Sequence, residues 1–323
     1  MKIANDFHRY EAARQIYSVL VMHFQEGITQ SEIARLTKLS HAKVNRLIKQ
    51  GREMGMVEIN IRSPYQALFD LETRFREATG LETVRITPSA STNPKTILNQ
   101  VGAAAASLLL EKLHDGDTIC ITGGKGLSAV VEMLSPERTY DVEVVPATGL
   151  VQGKHYTDVN HVATQMADKL GGKAFLIHAP LFAESVAEKR MLLKMKSVTD
   201  VFGRARKARI AVLGIGSILS GDSSYYDLHP TSRGDRARIE KAGAAGELLA
   251  HLIDKDGRLC DYETNHRLVA MSPDELDAIP FTIGVAAGAN KVAPICAALC
   301  GHHVKAMALD EATATGVLRM LGK

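Results

Sequence analysis

The stretch from Gln30 to Arg52, QSEIARLTKLSHAKVNRLIKQGR, constrains the fold of this chain more than any other. Two short amphipathic segments meet at Leu39-Ser40. Thr29 is placed to cap the first, with Glu32 three residues on as the other half of a capping box. Ser40 is placed to cap the second, which runs to about Met54 with Gly55 as its stop. Two short helices at a tight turn make a helix-turn-helix, the unit that lays its second helix in a DNA major groove. At about 100° per residue, Val44, Leu47, Ile48 and Gly51 share the packing face of that helix. Ala42, Asn45, Arg46 and Lys49 lie opposite, with Lys43 at the edge. Arg suits guanine O6/N7 and Asn suits adenine N6/N7; lysines more often meet phosphate. Thr29, Gln30 and Ser40 stand at helix N-termini, where N–H and hydroxyl groups bind phosphate oxygens. Ala34 is expected at the tight helix crossing. The turn position often held by Gly is Lys38, which is strained if left-handed. A further helix is expected ahead of the pair, from Glu11 to Gln25, and a short strand after it, MVEINI.

Charge follows the same division. The chain of 323 residues has a net charge of only +3. Through Arg62 there are 10 Lys/Arg against 6 Asp/Glu, and beyond it 29 against 30. The positive excess therefore sits in the first fifth, as expected of one module that faces phosphate and another that need not. The length suits two domains, divided at the Ser63-Pro64 linker: 1–62, a helix-turn-helix DNA-binding domain, and 63–323, an effector-binding and oligomerisation domain. With 5% aromatics and no Trp, the core is aliphatic. No apolar run approaches the roughly 20 residues of a membrane span, and the N-terminus lacks a signal-peptide core. Cys120, Cys260, Cys296 and Cys300 lie in apolar segments, as buried thiols of a reducing compartment do. Cytoplasm is the expected location, with no membrane partner.

From Leu81 onward strand and helix patterns alternate. Strands are expected at Thr83–Thr87, Thr118–Thr122, Val142–Thr148, Ala174–Ala179, Arg209–Gly214, Phe281–Ala286 and Val304–Leu309. Several are near-continuous apolar runs, as a sheet covered on both faces requires. The second domain is therefore α/β, Rossmann-like, with a mainly parallel sheet. AGAAGELLAHLIDKDG reads as an Ala/Gly-rich helix carrying Glu247, with Asp254 seven residues on.

Three glycine-rich turns follow strands. ITGGKGLSA spaces Gly124, Gly126 and Ala129 as G-x-G-x-x-A before a helix expected near Leu127. A dinucleotide site also needs an acid about 20 residues further; Glu143 lies inside an apolar strand, so NAD is set aside and no cofactor is expected. LGIGSILSGD is the second turn, and VAAGANKVAP the third, with Lys291 in the first turn of a helix. Ligands of open α/β sheets gather at strand carboxyl ends. Glycine turns there, with Lys125 and Lys291, point to a small phosphorylated anion. Cys296 and Cys300, near His302 and His303, read as buried thiols rather than a metal site. Asp227 and His229 have no nucleophile-elbow serine, and no catalytic residue is expected.

The chain resembles the SorC/DeoR-type sugar-binding bacterial transcriptional regulators over nearly its whole length. Four pieces carry the resemblance: TQSEIARLTKLSHAKVNRLIKQGREMGMVEINI, ITGGKGLSAV, LGIGSI, and GVAAGANKVAPICAALCGHHVKAMALDEATATGVL with its Gly-x-x-x-Lys loop and Asp-Glu-x-x-Ala. His41 and Asn45 stand where many members have other small polar or basic residues, which adds His41 to the DNA-facing set. The resemblance implies a helix-turn-helix joined to a domain similar to sugar-phosphate isomerases and deaminases, assembled as a homo-oligomer, dimer or tetramer. It implies effector contacts from Gly123, Gly124, Lys125, Gly149, Asn160, Gly214, Gly216, Glu247 and Lys291. Lys125 replaces the small hydroxyl residue of many members. SILSGDSSYYDL lacks the Arg pair of members that hold a bisphosphate, so a monophosphate or polyol phosphate is implied. The expectation is a non-enzymatic repressor of a carbohydrate or polyol operon, with double-stranded operator DNA and a phosphorylated sugar as partners. The alternative is an isomerase- or deaminase-like enzyme with an added basic domain, for which Glu247 and Asp254 are the candidate acid and base.

Overall fold

A computed structural model describes residues 2–57, 65–151, 158–218, 225 and 233–323, the side chains of 2–9 and 233–234 excepted. The chain divides into two compact units, Met1–Pro64 and Tyr65–Lys323.

In the first unit α1 (Lys2–Leu20) runs into a π-helical turn (Val21–Gln25), followed by α2 (Gln30–Thr37) and α3 (His41–Glu53). The first helix thus begins earlier than its apolar spacing indicated and changes pitch at Val21. Thr29 Oγ1 accepts the N–H of Glu32 at 3.3 Å, and Ser40 Oγ accepts that of Lys43 at 3.2 Å. The Glu32 carboxylate pairs with Arg35 at 2.5 Å, one turn on. Lys38 is left-handed, φ 59° and ψ 28°, at a cost of roughly 1–2 kcal/mol for a residue with a Cβ. Val44, Leu47, Ile48 and Gly51 are the buried face of α3, and they join Ile16, Val19, Leu20 and Ile33 in one core. Gly51 makes the close crossing: a Cβ there would lie 2.6 Å from Leu20 Cδ1 and 2.9 Å from Ile16 Cγ2. Ala34 packs partly buried at the same core. The strand expected from Met56 runs beyond the described residues after Val57.

The second unit opens with α4 (Gln66–Thr79) and β1 (Thr83–Thr87), then α5 (Pro94–Lys112), β2 (Thr118–Ile121), α6 (Lys125–Met133) and β3 (Glu143–Pro146). It continues through α7 (Val159–Leu170), β4 (Lys173–Ala174), α8 (Val186–Leu192), α9 (Lys196–Ala205), β5 (Ile210–Gly216) and α10 (Arg233–Lys241). It ends with β6 (Ala244–Leu248), β7 (His251–Asp254), α11 (Glu263–Arg267), β8 (Phe281–Val285), α12 (Val292–Cys300), β9 (Ala306–Asp310) and α13 (Glu311–Met320). The central sheet has the order β1-β9-β8-β5-β2-β3-β4, and each of these pairings is parallel. Apolar runs such as β9, buried at every residue, fit a sheet with helices on both faces.

Two expectations are corrected. The segment around Glu247 is a β-hairpin, not a helix: β6 and β7 pair antiparallel, and β6 pairs with the end of β5. Tertiary contact decides against helix propensity here. Gly246 lies so close to α12 that a Cβ would come 2.8 Å from Pro294 Cα. The strand expected over Ala174–Ala179 shrinks to Lys173–Ala174 at the sheet edge, because only Glu143 and Val144 of β3 pair with it.

Candidate functional site

The carboxyl ends of β2, β5 and β8, neighbours in the middle of the sheet, surround a cavity of about 480 Å³. β2 runs out through Thr122-Gly123-Gly124. Gly124, at φ 117°, is the N-cap of α6, and no side chain caps that helix. Gly124, Lys125 and Gly126 at that N-terminus line the cavity, and a helix N-terminus suits an anion. The helix starts two residues ahead of the expected Leu127, so Lys125 lies in its first turn. Thr122 Oγ1 accepts the N–H of Gly214 at 3.2 Å and ties β2 to β5.

The third glycine loop is fixed from behind. Gly288, at φ 103°, donates its N–H to Asp310 Oδ1 at 2.8 Å and to Thr313 Oγ1 at 3.0 Å. Asp310 is buried, and its other oxygen caps α13 by accepting the N–H of Thr313 at 3.0 Å. Glu311 accepts the N–H of Ser89 at 3.1 Å. The Asp-Glu of the C-terminal motif thus anchors two loops. A 3-10 turn, Ala289–Lys291, then leads into α12, with Lys291 at its N-cap.

Lys291 Nζ donates to the carbonyl of Ile215 at 2.9 Å. Burial pushes its pKa below the usual lysine value; the Glu247 carboxylate opposes that shift and Lys125 adds to it. Burial pushes the Glu247 carboxyl above the usual carboxylate range, against the Ala250 N–H and the Lys291 charge. Glu247 Oε1 accepts that N–H at 2.6 Å. Ala250 belongs to the two-residue turn of the hairpin, between the paired Leu248 and His251.

The cavity wall includes Gly123, Gly124 and Lys125 after β2, Gly149 after β3, Gly214 and Gly216 of β5, Glu247 of β6 and Lys291 after β8. Asn160 is not in that wall. Its amide bridges one residue, accepting the N–H of Ile177 at 2.9 Å and donating to its carbonyl at 2.8 Å. Gly149 lets two segments approach, since a Cβ there would lie 2.6 Å from the Pro180 carbonyl oxygen. Asp254 is engaged away from the cavity: Oδ1 accepts the N–H groups of Asp256 and Arg258, both at 2.9 Å. Glu143 opens β3, at the opposite end of the sheet, and pairs with Arg204 at 2.7 Å. The wall also contains Thr122, Thr148, Leu181 and Ala250, which sequence alone does not single out; only Thr122, next to Gly123-Gly124, carries a local signal. Cys120, Cys260 and Cys296 are buried, but Cys300 is exposed, contrary to the expectation for it. Among the described residues no group of three His, Cys, Asp or Glu could hold a metal. Asp227 and His229 lie outside the described residues.

In the first unit the outer face of α3 presents His41, Asn45, Arg46 and Lys49 to solvent, with Thr29 and Ser40 also exposed and Gln30 and Lys43 half-buried. A groove there is lined by Gln30, Asn45, Lys49 and Arg52 together with His23 and Phe24 of the π-helical turn. His23 and Phe24 stand at helical spacing from the buried Ile16, Val19 and Leu20, yet they line this groove. Glu53 stands 3.8 Å from Lys49 and offsets part of its charge.

A doubly wound α/β unit with a cavity at its strand ends, preceded by a small unit of paired short helices, defines a ligand-binding domain carried behind a helical module. Residues 63–319 match the family model described as "Putative sugar-binding domain". The chain is 30% identical over 303 residues to the transcriptional regulator LsrR of Enterobacter sp. (strain 638), covering 93% of this chain and 91% of that protein. It is 29% identical to the regulator of the same name from Klebsiella pneumoniae, covering 92% and 90%. Its fold is similar to that of the full-length sorbitol operon regulator SorC from Klebsiella pneumoniae, with TM-score 0.73 and 23% identity over 96% of this chain and 99% of that one. A transcriptional regulator from Streptococcus pneumoniae TIGR4 matches with TM-score 0.73 and 25% identity, over 80% and 99%. The chain belongs to the sugar-binding-domain family of transcriptional regulators. These two relatives are named as transcriptional regulators. Among the described residues no helix is long and apolar enough to cross a membrane.

Proposed function

We propose that this chain is a cytoplasmic repressor of a carbohydrate or polyol operon, released or set by a phosphorylated sugar. One observation carries the reading: an uncapped helix N-terminus with Lys125, a half-buried Lys291 and Glu247 meet in one cavity. The α6 N-terminus and Lys125 suit a phosphate. Glu247 suits hydroxyls, because a carboxyl group exchanges hydrogen bonds with polyols. Gly123, Gly124, Gly149, Gly214 and Gly216 keep the wall close to the ligand, and Lys291 supplies the second cation. Two cations against one carboxylate favour a monophosphate over a bisphosphate. Asn160 acts from outside the wall, by holding Ile177.

The first unit binds double-stranded operator DNA. Arg46 and Asn45 read base edges, Lys43 and Lys49 meet phosphates, and Thr29, Gln30, Ser40 and His41 dock helix N-termini on the backbone. A dimer or tetramer places two such units on half-sites about one helical turn apart, or a multiple of it. The effector must bind one arrangement better than the other. A coupling of roughly 1–3 kcal/mol changes operator affinity about 5- to 150-fold.

A thermal-shift screen of sugar and polyol monophosphates tests the reading. A ligand at about 100 times its dissociation constant adds roughly 2.7 kcal/mol if it binds only the folded state. Footprinting with and without that ligand then shows the operator. Turnover of the ligand by the pure protein, or no protected promoter under any condition, overturns it.

A further inference from the structure

The hairpin β6–β7 closes through Leu249 and Ala250, both left-handed at φ 53° and 65°. A two-residue turn of this kind favours Asn-Gly, because both residues take positive φ. Neither Leu nor Ala relieves that strain. The only other left-handed non-glycine residues described are Lys38 and His302, and these stand singly.

The contacts that hold the turn lie at the cavity. Glu247 Oε1 takes the Ala250 N–H at 2.6 Å. His251 Nδ1 lies 3.0 Å from the Leu249 carbonyl. Leu249 is buried in the main core, while Ala250 packs with Leu181 and Leu268 in a separate small cluster. Ala250, Leu181 and Glu247 all line the cavity. Behind them the segments of Leu181 and Val269 are hydrogen-bonded, Val269 N–H to the Leu181 carbonyl at 2.8 Å. Backbone strain held by its surroundings gathers at ligand clamps and switches.

Resting on the effector reading above, we propose that Glu247 is a latch on the Leu249–Ala250 turn, and that a sugar hydroxyl claiming its carboxylate releases the turn. The hydroxyl donates to the carboxylate, the Ala250 N–H loses its short bond, and the strained residues move toward negative φ. Ala250 then shifts against Leu181 and Leu268. Occupancy of the cavity becomes a backbone change that reaches Leu268, a member of that cluster outside the cavity wall.

Amide hydrogen exchange on the full-length protein, read residue by residue, tests this. Loss of one charge-assisted hydrogen bond by Glu247→Ala speeds exchange at Ala250 about tenfold, with Leu252 in β7 changing less than about threefold. Glu247→Gln keeps an acceptor oxygen and restores the slow rate. A rate at Ala250 within about threefold of wild type in Glu247→Ala overturns the latch. In a second arm, a pool of pentose and hexose monophosphates is added to wild type. Expected are slower exchange at Gly124–Gly126 and faster exchange at Ala250. If the pool stabilises the protein yet Ala250 exchanges at the same rate or more slowly, the latch is wrong. If the pool does not stabilise it, the effector reading fails, and the variants alone judge the latch. Should Glu247→Ala fail to fold, the wild-type arm decides.

Discussion

Gly216 and Glu247 face each other as partners in the antiparallel pairing of β5 with β6, and the glutamate carboxylate occupies the space that a side chain at 216 would need. β5 outruns the parallel sheet by these last residues: its pairing with β8 ends at Gly214. The strand whose end lines the cavity is therefore also the strand that holds β6, and with it the Glu247 carboxylate, in place.

Gly216→Ala separates folding from binding. The added Cβ overlaps Glu247 Oε2, the far end of a flexible side chain, and lies 3.0 Å from Glu247 Cβ, so the carboxylate swings aside, gives up the Ala250 N–H, and the paired strands shift slightly. The variant is expected to melt within a few degrees of wild type and to lose the thermal shift produced by a sugar monophosphate. Retention of the full shift would show that Glu247 does not need its present position.

Lys291→Ala removes a cation from the cavity and leaves the Ile215 carbonyl without that donor. Hydrogen bonds to charged groups contribute roughly 1.5–3 kcal/mol, so effector affinity should fall about 10- to 150-fold. Operator binding without effector should be unchanged. Titration calorimetry and gel shift on the same preparation check both halves; an unaltered effector affinity excludes Lys291 as a ligand contact.

Arg46→Ala tests the reading face of α3. A good bidentate base contact is worth about 1–3 kcal/mol of discrimination, so specific operator affinity should fall by that amount per half-site at fixed salt. The effector-induced thermal shift should remain. Fluorescence anisotropy with specific and scrambled DNA decides it, since equal losses on both sequences would make Arg46 a phosphate contact.

His251 gives the fold an acid-sensitive element. Burial holds the ring neutral and lowers its pKa to about 4 from 6.5; the Leu249 carbonyl only partly opposes this. As pH falls, the unfolded chain takes the proton first. The stability present above about pH 6.5 is therefore lost between 6.5 and about 4, up to roughly 3 kcal/mol at about 1.4 kcal/mol per unit. Urea unfolding of wild type and His251→Asn at pH 7 and 4.5 checks this. The wild type should lose some 2–3 kcal/mol more than the variant; parallel losses would assign the acid sensitivity elsewhere.

Lys38→Gly removes a Cβ from a left-handed residue and should stabilise the first unit by up to about 1 kcal/mol, less what glycine loses in the unfolded chain. Slower amide exchange within α2 and α3 would show it, and faster exchange would mean that the Lys38 side chain contributes more than its strain costs.

Local rules made much of this legible. The α3 face of Val44, Leu47, Ile48 and Gly51 follows from helical spacing, and the left-handed Lys38 from the turn that the two caps require. The glycine loops after β2 and β8 follow from strand patterns with Gly at their ends, whereas Gly214 and Gly216 of the second expected turn lie inside β5. The hairpin around Glu247 was not legible. Its Ala, Glu and Leu residues favour a helix, and what overrides them is distant: Ile215 and Gly216, which extend β5 past its pairing with β8, and the surface of Pro294. Asn160 came from family resemblance, yet its amide serves Ile177. His23 and Phe24 sit at helical spacing with core residues, and the π-helical turn rotates them into the groove instead.

Asp310 carries a last consequence. The loop of Gly288 hangs on a carboxylate 22 positions further along the chain, while the cavity wall already begins at Pro94. A nascent chain that has emerged through β8 already possesses most of the sheet but not the peg on which the Lys291 loop rests. A polypeptide cut between β8 and β9 would keep its reading helices and leave its sensing wall unsupported.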